Sequence, residues 1–193
     1  EDVVKYSMYN VYPTFFKGYN SSWGRADWFA ETNIADWNDD NAQEVATFFT
    51  KNVPTATTAA TQWNFDQIHT VNTYLDKLSR STILDEPKRH WTGVNRFLRA
   101  VEYAKLVSNF GDVPYYQQPI APTDKATLYR AFSPRLEVMD SVLSDMKYAM
   151  ENVRISDGEK GLNITKDLVY AYASRIFLFE GTWQKYHNPQ NTE

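Results

Sequence analysis

Cysteine is missing from this 193-residue sequence altogether. Its absence excludes disulfides, thiolate metal sites and cysteine nucleophiles, and leaves the compartment open. Glycine (7) and proline (8) are scarce, too few for a turn-rich all-β chain or a disordered one. No stretch approaches the roughly 18 to 20 apolar residues of a membrane span, and no signal-peptide pattern stands at the front. The chain opens abruptly on Glu1-Asp2, so a targeting segment removed ahead of it is the expectation. Neither sign of charge dominates: 20 Lys and Arg are interspersed with 24 Asp and Glu, for a net charge of −4. Without a basic face, neither nucleic acid nor an anionic membrane surface is an expected partner.

Catalytic signatures are equally thin. His69, His90 and His187 are scattered, with no His-Glu-x-x-His spacing, so no metal site is expected. A Gly-x-Ser-x-Gly elbow, a P-loop and a dinucleotide glycine fingerprint are all absent, and no cofactor is implied. The best carboxylate cluster is Asp36, Asp39 and Asp40 in "ADWNDDN". An all-helical glycosidase would need two such groups about 5 to 10 Å apart, but a solvated acidic loop or a loop cation site explains the same residues. No catalytic residue is assigned.

What the sequence does hold is aromatic rings: 6 Trp, 13 Tyr and 11 Phe, 16% of the chain. Such rings build helical cores, or they form platforms for flat ligands such as sugars and peptides. The apolar periodicity is helical. Met8, Val11 and Phe15 recur from Val4 onward, with Pro13 a kink or an end. Residues 19–41 have no sustained period and read as a long loop, and 43–51 as a short helix. Thr61 is a candidate cap for a helix over 62–78, whose stripe is Phe65, Ile68, Val71, Leu75 and Leu78. Asn72 lies on that stripe and must be hydrogen-bonded, so it is expected to pin a neighbouring loop.

Asp85 with Pro87 opens the next helix, with Val94, Leu98, Val101, Leu106 and Phe110 inward and Ala100 and Ala104 permitting close approach. Gly111 after Phe110 suits a left-handed closing residue, and Pro114 prevents the helix from resuming while pushing Val113 toward extended backbone. Ser133 and Pro134 open a further helix carrying Met139, Val142, Leu143, Met146 and Met150. Thr165 opens the last, with Ala171, Ala173 and Ser174 small and Gly181 as its stop. Two helical hairpins result, about 62–110 and 133–181. The expected fold class is mostly α, with irregular tetratricopeptide-like hairpins and long loops, although the strict repeat of roughly 34 residues is not visible.

"RFLRAVEYAKLVSNFGDVPYY" closely resembles the "RFLRA-x-x-Y-x-x-L-x-x-x-[YF]-GDVP" run of the SusD/RagB family. Arg96 begins that run, and Gly111 and Pro114 belong to its last four positions. Upstream, "WNFDQIHTVNTYLDKL" is similar to the family's Trp…Ile…Asn helix. Downstream, "YRAFSPRLEVMDSVLSDMKYAMENV" and "ITKDLVYAYASRIFLFEGTW" resemble its next two helices, departing at Tyr170 and Tyr172, where smaller residues are usual. The resemblance covers about 62–183 in the right order, and residues 1–193 look like the N-terminal portion of longer members that add a loop-rich half.

The resemblance implies binding without chemistry. Members are outer-membrane, cell-surface lipoproteins that capture oligosaccharides, or peptides in some cases, and deliver them to a SusC-type TonB-dependent transporter. Membrane attachment would run only through an N-terminal lipid anchor not present in this chain. The expected ligand contacts are Trp28, Trp37 and Trp63 as ring platforms, with Asn38, Asp39 and Asp40 bonding hydroxyls. Trp63 is expected to open its helix. Gly111, Pro114, Asn72 and Arg96 are expected to be structural. The rivals are a helical-repeat scaffold that binds only proteins, and a fragment of an all-helical glycoside hydrolase.

Overall fold

A computed structural model describes residues 1–16, 63–158 and 163–187. The expected 19–41 loop, the 43–51 helix and the Thr61 cap lie outside these residues. So do Trp28, Trp37, Asn38, Asp39 and Asp40. The described residues are mostly helical, and their strand-like pairing is a single bridge between Val113 and Ser133. The chain divides into two compact units, Glu1–Asn64 and Phe65–Glu193.

In the first unit, α1 spans Asp2–Phe15 and buries Met8, Val11, Tyr12 and Phe15. Pro13 stands inside the helix, two residues before its end. Proline has no N–H to donate to the carbonyl four residues back, and the helix ends within one turn of it.

The second unit is two helical hairpins. Helices α2 (Asp66–Ser79) and α3 (Asp85–Phe110) form one, and α5 (Arg135–Asn152) and α6 (Lys166–His187) the other. A short helix, α4 (Lys125–Leu128), lies between them and was not legible from periodicity. Helix α3 is the axis of the unit, packing on α2, α5 and α6. At 26 residues it runs about 39 Å. Trp91, Phe97, Leu98, Tyr103 and Val107 on it are fully enclosed. Such burial on several sides, rather than along one stripe, marks a central helix.

Several boundaries differ from the expected ones. Helix α2 starts at Asp66, so Trp63 precedes it instead of opening it. Leu84, not Asp85, takes the cap position of α3, and its carbonyl accepts from Lys88 N–H at 3.0 Å. Asp85 is the first helical residue and acts there through its charge on the helix dipole. Gly181 does not stop α6, which continues to His187. A lone mid-helix glycine costs only about 1 kcal/mol. Here Glu180 and Trp183, on either side of it, are both held by Arg135.

Small residues set the crossing of α3 and α5. Ala100 is fully buried, but the tightest approach involves Gly93. A Cβ on Gly93 would sit 3.0 Å from Val153 Cγ2 and 3.6 Å from Ala149 Cα. Tyr172, one of the departures from the family pattern, packs edge-on against Phe97 with centroids 5.3 Å apart. Tyr170, the other, is exposed.

Candidate ligand cleft

The segment after α3 leaves the helix at Gly111, whose N–H donates to the Val107 carbonyl at 2.9 Å. Its φ is +75°, the positive value that favours glycine, but its ψ of −109° lies outside the left-handed helical region. Asp112 then reaches forward and accepts from the Arg135 N–H at 2.8 Å, capping α5. Ser133 precedes the cap residue Pro134, and its backbone is paired with Val113 (3.0 and 3.3 Å). Pro114 is buried. The Gly-Asp-Val-Pro turn thus closes one helix and starts another.

Beyond it, residues 115–120 are irregular and their backbone polar groups need partners from elsewhere. Side chains from α2 and α3 supply them. Asn72 donates to the Tyr116 carbonyl at 2.9 Å and to that of Gln118 at 3.4 Å. Arg99 donates to the Gln117 carbonyl at 3.1 Å and to Asn72 Oδ1 at 2.9 Å. The Tyr116 N–H donates to the Tyr103 hydroxyl at 2.6 Å. Three consecutive carbonyls are therefore fixed by buried groups.

Asp145 of α5 holds those groups in place. Arg99 meets it through two nitrogens at 2.7 and 2.9 Å, and Arg96 through Nε at 2.7 Å while lying over the Tyr148 ring. Burial works against the Arg99 charge, but the hydrogen bonds and charge of Asp145 outweigh it and hold the guanidinium above its ordinary value. Burial pushes the Tyr103 hydroxyl far up, leaving it neutral. Sequence reasoning singled out Arg96 and Asn72 but missed Arg99 and Asp145. The available signal was the second arginine of "RFLRA", four residues before Tyr103 on an otherwise apolar face.

Over this pinned segment lies an open cleft of about 500 Å³. Its wall is Tyr115, Tyr116, Gln117, Gln118, Pro119 and Ile120, faced by Asp124, Thr127 and Arg130 of the α4 region and by Ser133, Glu137 and Ser141 of the α5 region. Arg130 donates to the Tyr115 carbonyl at 3.0 Å, and the Tyr115 hydroxyl engages the Ser141 and Gln117 side chains. Burial and then the Asp145 charge raise the Tyr115 hydroxyl above its usual range. Tyr116 meets Phe65 edge-on, centroids 5.7 Å apart. Trp63, the one expected ligand residue within the described residues, is half-buried just ahead of α2 in the sequence.

This hairpin architecture is matched by known proteins. A family model described as SusD-like, starch-binding and associating with the outer membrane matches residues 7–178. The chain belongs to the SusD-like family. SusD-like protein P2 of Formosa agariphila is 29% identical over 89 residues, 46% of this chain and 17% of that protein. A SusD-like protein of Bacteroides fragilis superposes with a TM-score of 0.66 at 23% identity, over 95% of this chain and 36% of its own. A laminarin-binding SusD-like protein gives a TM-score of 0.57 at 24% identity, over 68% and 28%. The SusD-like chain described here thus spans well under half the length of these relatives.

Proposed function

We propose that this SusD-like chain serves non-catalytic glycan capture at the cell surface, handing oligosaccharides to a SusC-type TonB-dependent transporter in the outer membrane. The observation that carries the reading is the family match over residues 7–178, whose description names starch binding and association with the outer membrane. A laminarin-binding protein among the structural neighbours agrees with it. No helix among the described residues is long and apolar enough to cross a membrane. Attachment in this reading runs through a lipid on an N-terminal cysteine outside this chain. Tyr170, Leu178, Phe179 and Tyr186 of α6 are exposed, which supports a further part of the family fold covering that helix.

The ligand contacts in this reading are Trp28, Trp37 and Trp63 as ring platforms, together with Asn38, Asp39 and Asp40 bonding hydroxyls. Calorimetric titration with starch and laminarin oligosaccharides tests it. Trp28→Ala or Trp37→Ala should weaken binding about tenfold with little change in Tm. Release of reducing ends by the chain, or unchanged affinity in both variants, would overturn the respective part of the reading.

A further inference from the structure

We infer that the cleft over residues 115–120 is a second glycan subsite, selective for neutral over acidic oligosaccharides. The inference rests on the glycan-binding reading and adds a place and a charge rule to it. The cleft falls within the about 300–1,000 Å³ of small-molecule sites, and its lining is polar where such sites are usually apolar. A polyhydroxyl ligand suits it. Gln117 and Gln118 each offer both donors and acceptors, and both are exposed while their carbonyls are fixed from beneath. Tyr115 and Tyr116 add ring surface, their hydroxyls being engaged by Ser141 and Gln117 and by the Leu128 carbonyl. Binding groups carried on a backbone pinned by Asn72 and Arg99 lose little freedom when a ligand arrives.

Charge sets the selectivity. Asp124 and Glu137 place two carboxylates on the cleft against one cation, Arg130, which already donates to the Tyr115 carbonyl. A uronate-bearing chain would meet net repulsion there, and a neutral chain would not.

The test is NMR titration of the isotope-labelled 193-residue chain with maltohexaose, laminarihexaose and hexagalacturonate. At least one neutral hexasaccharide should shift the amides of residues 115–118, and hexagalacturonate should not. Gln118→Ala should weaken the neutral ligand about tenfold, the worth of one or two hydrogen bonds. Glu137→Lys, on an exposed turn of α5, should admit hexagalacturonate to the same amides. If a neutral sugar binds with shifts confined elsewhere and unchanged affinity in Gln118→Ala, the subsite falls while the glycan-binding reading stands. If hexagalacturonate shifts 115–118 in the unmodified chain, the charge rule falls. If no neutral sugar shifts any amide, both the subsite and the reading fall.

Discussion

At the N-terminal end of α3, Glu86 pairs with Arg154 through two contacts of 2.7 and 2.9 Å, yet its side chain is 58% exposed. Just past the middle of the helix, Arg99 and Asp145 make contacts of the same length with 7% and 2% exposure. Arg135 and Glu180 repeat the buried arrangement, and Arg135 also donates to the Val107 carbonyl in the last turns of α3. Geometry alone does not separate these pairs. Water does. The exposed pair competes with solvation and is screened by salt, while the buried pairs are shielded from water and from salt. One end of the helix is therefore decorated by charge, and the other depends on it.

Removing one buried partner should break that contrast most severely. Asp145→Ala leaves two guanidinium groups facing each other, Arg99 without water, and should cost about 3–5 kcal/mol in denaturant unfolding. Hydrogen exchange at residues 115–118 should rise with it, because their carbonyl partners Asn72 and Arg99 lose their anchor. A loss below about 1 kcal/mol would show that the network is solvated after all.

Gly111→Val should follow, at about 1–3 kcal/mol. No atom lies within 4 Å of a Cβ built there, so the whole cost is backbone strain at positive φ rather than a clash. Gly111→Ala should be milder, about 1 kcal/mol, and thermal unfolding of the pair separates strain from packing.

Glu86→Gln should have the smallest effect, about 0.5 kcal/mol or less, and should vanish in molar salt. Its pH dependence has a definite sign. The Arg154 hydrogen bonds hold the Glu86 carboxyl below its ordinary 4.5. Its contribution is therefore present above that pH and is lost as acidity protonates the folded form. Unfolding curves of the variant and the parent should converge on acidification below pH 4.5.

The hairpins were readable because their cause is local and repeated. Ile68, Val71 and Leu78 recur at helical spacing and are buried, as are Val94, Leu98, Val101 and Leu106. Helix ends were readable only where one residue forces the stop. Gly111 with Pro114 ends α3 whatever surrounds it, whereas Gly181 ends nothing, because α6 is anchored on both sides of it by Arg135. The cleft was not readable. Its residues, from Tyr115 to Ser141, come from a loop, a single helical turn and the start of α5, with no period to link them.

By itself, then, the sequence determined the class of the fold, the two hairpins, the sharp exit of the chain at Gly111 and the family resemblance. Each rests on spacing along the chain or on the backbone limits of one residue type. Tertiary structure alone decided which polar side chains meet. Asn72 on α2, Arg99 and Tyr103 on α3, and Asp145 on α5 come from three separate helices, and each is costly to bury alone. They become favourable only where packing brings α2, α3 and α5 together around three loop carbonyls.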